Sequence, residues 1–341
     1  MAPVVGAGSA ATVSPMALPL PTIADIRASL SAIGNLIVRT PLIEVADGAS
    51  MFGRRVLLKA ETMQRTGSFK YRGACAFLHR LGPEGRANGV VAFSSGNHAQ
   101  AVAAAAAHFG VPATIVMPSD APEVKVQRTR ARGATIITFD RVTDDREAIA
   151  ADVAADSGAA IVPPYNHPWT IAGQGTAGVE IAADAGALGI ADPIVLVPTG
   201  GGGLVAGIAL AMSADLPAAD VWTVEPDAFD DHRRSFAAGE RVEVATSAAS
   251  ICDALLASTP GEIPFEINRR LVKGSTAVSD EQVRSAIRFA AEELHLVVEP
   301  GGVVGLAALL SGVVPGSRSV VVVLSGANVD PTMLMECLAG R

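Results

Sequence analysis

The stretch 193-PIVLVPTGGGGLVAGIALAM-212 runs from an apolar, β-branched segment through four consecutive glycines into a small-residue helical pattern. A segment with so little polar relief suits a strand buried on both faces, the environment of a parallel sheet. Glycines at a strand-to-helix junction let the backbone approach a ligand closely and leave the helix N-terminal amides free to hold an anion. Four in a row carry an ordering cost that a simple connection has no reason to bear.

The same alternation extends outward. Strands are expected at 89–95, 113–118, 134–140 and 159–166, with helices between them ending at Gly110, Gly133 and Gly158. A second group comprises a helix at 174–185, the strand and helix of the opening stretch, and a strand at 221–225. Helices at 279–294 and 302–311, a strand at 319–326 and a last short helix complete it. Alternating strands and helices of this kind predict an α/β fold with parallel sheets. The reading is of two doubly wound α/β domains with the active site in the cleft: a large domain of 22–87 and 168–341, and a small domain of 88–167. Residues 1–21, rich in Ala, Pro and Gly, read as a flexible N-terminal extension.

Composition excludes several classes of partner. Asp and Glu outnumber Lys and Arg by 34 to 26, giving a net charge of −8, so neither nucleic acid nor an anionic membrane surface is expected. The arginines at 128, 130 and 132 form too short a run to reverse that and read as a solvated helix face. No apolar run reaches the roughly 18 residues of a membrane span. Cysteines 75, 252 and 337 show neither metal spacing nor an even framework, and the first 21 residues contain no Lys or Arg, so a cytoplasmic location is expected.

Ligands of α/β sheets bind beyond the carboxyl ends of strands, and three more junctions have unusual composition. In "TGSFKYRG" (66–73), Thr66, Gly67 and Ser68 read as a turn and N-cap, placing Lys70 in the first turn of a helix. A helix dipole there disfavours the ammonium and favours a nucleophilic amine. Lysine is scarce: residues 59, 70, 125 and 273 are the four lysines among 26 basic residues. A guanidinium could neither deprotonate near neutral pH nor condense with an aldehyde, which gives position 70 a reason to be lysine. In "SSGNHAQ" (94–100), Ser94, Ser95, Gly96 and Asn97 offer hydroxyls, an amide and free N–H groups at a helix start, an anion site. His98 reads as a packing or hydrogen-bonding residue. In "SGANVD" (325–330), Ser325 supplies an uncharged hydrogen-bonding group.

Two ligands compete for this inventory. Gly201, Gly203 and Ala206 satisfy a dinucleotide fingerprint, with Glu225 about 20 residues on, which would make the chain a nicotinamide-dependent oxidoreductase. That ligand leaves Lys70 and the Ser94–Asn97 loop without a task. An amine, a phosphate cradle, a carboxylate site and a neutral group near a ring nitrogen together match pyridoxal 5'-phosphate (PLP) and an amino-acid substrate.

Over roughly residues 22–338 the sequence resembles the fold-type-II PLP enzymes, specifically the serine/threonine dehydratase and serine racemase group. The matching stretches are "TGSFKYRGA", "SSGNHAQ", "IAGQGT", "GGGGLVAGIA", "VEP", "CDAL", "VVEPGG" and "SGANVD". The resemblance implies a tryptophan-synthase-β-like fold in which Lys70 carries the cofactor and serves as base at Cα. It implies that Phe69 lies against the cofactor ring, that Asn97 bonds the ring hydroxyl, and that Asn166 is a further cofactor-side residue. Gly200, Gly201, Gly202, Gly203 and Leu204 would hold the phosphate, and Ser325 would face the pyridine nitrogen. Ser94, Ser95, Gly96, Asn97 and His98 would receive the substrate carboxylate.

It further implies a divalent-cation site at Glu225, the carbonyl of Phe229 and Asp231. Oxygen ligands favour Mg²⁺, Ca²⁺ or Mn²⁺ there. The implied activity is β-elimination from threonine, serine or 3-hydroxyaspartate, giving a 2-oxo acid and ammonia, in a homodimer. Ser95, on the face opposite the lysine in the family's racemases, leaves an amino-acid racemase as the alternative. The sequence ends soon after "SGANVD", so a C-terminal regulatory domain is not expected.

Overall fold

The computed structural model describes residues 18–121, 123–245 and 249–340, and of residue 124 only the backbone. Residues 1–17 of the expected N-terminal extension lie outside the described residues. Ten strands form two sheets: β1 (Leu42–Glu44), β2 (Val56–Ala60), β3 (Val90–Phe93), β4 (Ala113–Pro118), β5 (Thr135–Phe139), β6 (Ala160–Ile161), β7 (Ile194–Pro198), β8 (Asp220–Pro226), β9 (Gly274–Val278) and β10 (Val320–Leu324). One sheet has the order β1-β2-β10-β7-β8-β9 and the other β5-β4-β3-β6. All pairings are parallel except β1 with β2, an antiparallel edge on the larger sheet.

Strands β2, β7 and β10 are buried along their whole length, as the unrelieved apolar sequence of β7 and β10 requires, while β2 carries one charge, Lys59. Alternate residues of one strand serve two cores, because side chains leave opposite faces of the sheet. Val195, Val197, Val321 and Val323 pack beneath helices Pro168–Ala187 and Gly203–Asp215. Ile194, Leu196, Val320 and Val322 pack on the other face beneath helices Asp280–Glu292 and Pro300–Leu310. In the smaller sheet, Val90, Ala92, Ile115 and Met117 face one layer and Val91 and Val116 the other. Both sheets are thus covered on two faces, the doubly wound arrangement.

Several elements differ from expectation. The helix expected at 174–185 begins at Pro168 and extends to Ala187, with the His167 side chain accepting from Trp169 N at its start. The strand expected at 159–166 pairs only over Ala160–Ile161, because two prolines follow and supply no N–H for the ladder. Helices Ile23–Ile33, Asp231–Ala238 and Glu262–Leu271, and strands β1, β2 and β9, are added to the pattern.

Between β2, the helix Lys70–Gly85 and the helix Pro168–Ala187 lies a fully buried ionic cluster. Arg72 donates to both oxygens of Glu61 and both of Glu180, each at 2.8 Å. Lys59 Nζ donates to Glu180 Oε2 at 2.6 Å and to Thr40 O at 2.7 Å. Two cations meet two anions, so the cluster is neutral as a unit, the condition under which buried charges are tolerated. Arg72 lies two residues beyond Lys70 and anchors the first turn of that helix.

Candidate active site

Lys70 is the first residue of the helix Lys70–Gly85, as expected, but the cap differs. Ser68 does not cap: its Oγ is buried without a partner, and its backbone forms a bridge with Gly326. Thr66 (φ 65°) and Gly67 (φ 75°) take left-handed conformations that turn the chain into this bridge. For a β-branched residue that conformation is strained, a condition that collects at functional sites. Phe69 N then donates to Ser325 O at 3.1 Å, so the "TGSFK" and "SGANVD" junctions are strapped together.

The Lys70 side chain is half-buried, and its Nζ donates to Pro164 O at 2.9 Å. Burial pushes its amine down to about 8, against an opposing pull from Glu299. Desolvation is therefore the leading cause of the lowered value, where the sequence had pointed to the helix dipole. The ammonium lies 5.2 Å from the centre of the Phe69 ring.

Asn97 opens the helix Asn97–Phe109 behind the Ser94–Gly96 turn, in which Gly96 N donates to Ser94 Oγ at 3.1 Å. Its amide nitrogen donates to Glu299 Oε1, and its oxygen accepts from Asn328 Nδ2 at 2.7 Å. Glu299 is buried. Burial and Asp253 raise its carboxyl to about 7, with Asn97, Lys125 and the Asn328 amide opposing. His98 is buried with Nε2 on Val162 O at 2.8 Å; burial and Lys70 push it down to about 3, so the ring is neutral. Lys125 forms an ion pair with Asp253, joining the helix Glu123–Arg130 to the turn Asp253–Leu255.

The glycine loop begins where β7 ends, and each of its residues is hemmed in. A Cβ on Gly200 would stand 3.1 Å from Leu255 Cα, and one on Gly201 would enter the Tyr165 ring. One on Gly203 would stand 2.6 Å from Gln174 Oε1. Gly202, at φ 89°, has no room beside His232 and Asn268. The loop connects to Lys70 through one segment: Pro164 O accepts from Lys70 and from Gln174 Nε2 (3.1 Å), and Tyr165 packs on Gly201 and Gly203.

Hydrogen bonds and close contacts link Lys70, Phe69, Asn97, Ser325 and the glycine loop into one neighbourhood, with His98 near enough to Lys70 to feel its charge. Asn166 Oδ1 accepts from Ile263 N at 3.0 Å at the start of the helix Glu262–Leu271. The adjacent Tyr165 is the residue that faces the loop. Tyr165 and Glu299 carry no distinctive motif of their own, and Glu299 was visible only as part of "VVEPGG". Of the arginine run, Arg128 and Arg130 are exposed. Arg132 is half-buried and, with Arg128, Gln100 and Asn328, lines a groove of about 540 Å³.

Glu225 and Asp231 are wholly buried, close to His232, which packs on Gly202 of the loop. Glu225 accepts from His232 N at 2.8 Å and Arg233 N at 2.9 Å, while both Asp231 oxygens have no partner. Burial and the neighbouring Asp231 raise Glu225 well above the ordinary carboxylate range. Burial lifts Asp231 to about 8. Among the described residues no group of three or more His, Cys, Asp or Glu is arranged around a metal position, and no helix is long and apolar enough to cross a membrane.

An amine kept reactive by desolvation, beside a glycine cradle at a helix start, defines an enzyme that works through a phosphorylated aldehyde cofactor. The family is given by comparison: residues 33–326 match the profile described as pyridoxal-phosphate dependent enzyme, and the chain belongs to that family. It is 40% identical to an L-threo-3-hydroxyaspartate ammonia-lyase of Saccharomyces cerevisiae, over 94% of this chain and 98% of that one. It is 38% identical to a serine racemase of Schizosaccharomyces pombe, over 92% and 96% respectively. Among solved structures, a maize serine racemase superposes with a TM-score of 0.87 at 34% identity, covering 94% of this chain and 98% of that one. A threonine deaminase superposes with a TM-score of 0.85 at 40% identity, covering 91% of this chain and 99% of that one. Fold-type-II architecture and PLP dependence follow, and the nicotinamide alternative is set aside.

Proposed function

We propose that the chain is an ammonia-lyase that eliminates water from a β-hydroxy amino acid, after which hydrolysis by a water molecule releases ammonia and leaves a 2-oxo acid. Threonine, serine and 3-hydroxyaspartate are the substrate class, with 3-hydroxyaspartate favoured by the ammonia-lyase relative at 40% identity. The observation that carries the reading is Lys70: a desolvated amine near pKa 8 beside Asn97, Glu299 and a glycine loop with no space for a side chain. Those residues fit PLP, because the loop's closeness and its free helix-start amides suit a phosphate. When bound, PLP supplies an aldehyde for the amine and a conjugated ring that accepts the electrons of the broken Cα–H bond.

The chain's own residues would then act as follows. The amides of Gly200, Gly201, Gly202, Gly203 and Leu204 hold the phosphate, Phe69 lies against the ring, and Asn97, oriented by Glu299 and Asn328, bonds the ring hydroxyl. Ser325 meets the ring nitrogen without charge. Ser94, Ser95 and Gly96 receive the substrate carboxylate, with neutral His98 behind them. Lys70 would take the Cα proton and deliver a proton to the departing β-hydroxyl. Lys70→Ala should fold and show no turnover in a 2-oxo-acid and ammonia assay across L-serine, L-threonine and the 3-hydroxyaspartate isomers. Substantial residual activity would refute the assignment.

The second reading, a racemase, is favoured by Ser95 in the loop and by the similarity to the fission-yeast serine racemase. Loss of optical activity from enantiopure substrate without ammonia release would select it. A divalent cation is proposed at Glu225, Asp231 and the Phe229 carbonyl. Two buried carboxylates, one with both oxygens unpartnered, are the support, and hard oxygen donors suit Mg²⁺, Ca²⁺ or Mn²⁺. Three buried, unpaired cysteines agree with a reducing cytoplasm, and a homodimer should sediment at twice the chain's mass.

A further inference from the structure

The glycine loop is clamped from two directions. Tyr165 covers Gly201 and Gly203 on one side. On the other stands His232, which is completely buried. A Cβ on Gly202 would lie 2.5 Å from His232 Cε1 and 2.6 Å from its Nε2, so only glycine lets the imidazole come this close. The ring is held in place by its own backbone, through His232 N to Glu225, and by Phe236, whose ring centre is 5.8 Å away and which stacks on Phe265.

Neither nitrogen of this imidazole has a hydrogen-bond partner. The carbonyls of Gly200 and Gly201 lie near enough to act on the ring, but without hydrogen-bonding geometry. Two carbonyls of the loop already accept one bond each. Gly261 N donates to Gly201 O at 3.1 Å, and Asn268 Nδ2 donates to Gly202 O at 3.3 Å. A buried donor left unbonded costs about 1–3 kcal/mol, which calls for a state in which it is satisfied.

We propose that His232 is a positioning residue of the phosphate cradle, holding the Gly200–Gly202 peptides from their carbonyl side so that their N–H groups face the anion. Each peptide plane carries its N–H and C=O on opposite edges. A donor that draws the carbonyls outward therefore turns the amides inward, and the bond His232 lacks is completed as the loop tightens on its anion. The inference rests on the PLP reading and concerns the phosphate alone.

The test compares PLP with pyridoxal, which keeps the aldehyde and lacks the phosphate. Full-length protein stripped of cofactor is titrated with each by absorbance, as wild type, His232→Phe and His232→Gln. His232→Phe keeps an aromatic ring and removes both nitrogens. It should weaken PLP about 10-fold, the value of one hydrogen bond, and leave pyridoxal binding unchanged. His232→Gln, which restores a donor, should recover most of that loss, and the ³¹P resonance of bound PLP should shift in His232→Phe and return in His232→Gln. Equal weakening of both ligands, or of neither, would overturn the proposal. If His232→Phe does not fold, His232→Leu, which likewise lacks both nitrogens, takes its place in the same comparison with the same expected and overturning results. Wild-type protein that takes up neither ligand would instead defeat the PLP reading itself.

Discussion

Replacing Arg72 by Met tests the buried ionic cluster that anchors the lysine helix. The guanidinium makes four hydrogen bonds of 2.8 Å to Glu61 and Glu180, and its removal leaves Lys59 to balance two carboxylates. The cluster passes from neutral to one uncompensated negative charge in a place water does not reach. Breaking a buried pair in this way costs about 3–5 kcal/mol. With about 2.1 cal/mol/K per residue over 341 residues, the unfolding entropy is about 0.7 kcal/mol/K, so the melting temperature should fall by about 4–7 °C. The assay is thermal unfolding of cofactor-free protein followed by circular dichroism. The double variant Arg72→Met/Glu61→Gln restores neutrality and should recover more than half of the loss. A single variant that melts within about 1 °C of wild type, or a double variant worse than the single, would refute a closed, charge-balanced cluster.

Three further outcomes follow from the geometry. Gly201→Ala drives a methyl group into the Tyr165 ring, so PLP affinity should fall at least about 10-fold while the chain still folds; unchanged affinity in a fluorescence titration would contradict the tight cradle. Burial lowers Lys70 to about 8, so the fraction of free amine rises with pH through that value. The rate at which cofactor-free protein captures pyridoxal should climb about tenfold per pH unit below about 8 and level above it; a rise continuing to about pH 10 would mean the amine is not desolvated. Above about pH 8, where Asp231 is ionised, Asp231→Asn removes an unpartnered buried charge beside Glu225, so the cation-free variant should melt higher than wild type there and lose any stabilisation by Mg²⁺. A variant that still gains stability from Mg²⁺ would move the cation elsewhere.

What could be read in advance depended on whether the deciding contact was local. The 193–198 strand, the glycine loop and the helix stops at Gly110 and Gly158, both left-handed in the structure, follow from backbone chemistry within a few residues. The helix Ile23–Ile33 also carries a local signal, the Thr22–Asp25 capping box, though its short apolar stripe is less distinctive. Ser68 looked like a cap because its competitor for the backbone, Gly326, lies far along the chain. Tyr165 was not legible for a similar reason: its contact with Gly201 and Gly203 joins residues nearly forty positions apart. The cluster of Lys59, Glu61, Arg72 and Glu180 was least legible, since charged residues read as surface until the fold places them together. Lys59 gives a second reason for a scarce lysine, a purely architectural one.

The bond from Lys70 Nζ to Pro164 O has a consequence for the empty protein. Pro164 belongs to the segment that follows β6 of the smaller sheet and leads through Tyr165 onto the glycine loop. While the amine is free it ties the start of the helix Lys70–Gly85, which packs against the core of the smaller sheet, to this segment, and Gln174 donates to the same carbonyl. Once the amine is committed to the cofactor, that tie is surrendered and the segment is held there by one donor fewer. Loading the protein therefore exchanges internal rigidity for a ligand, and protease cutting around 163–166 should speed up rather than slow down when the cofactor goes in.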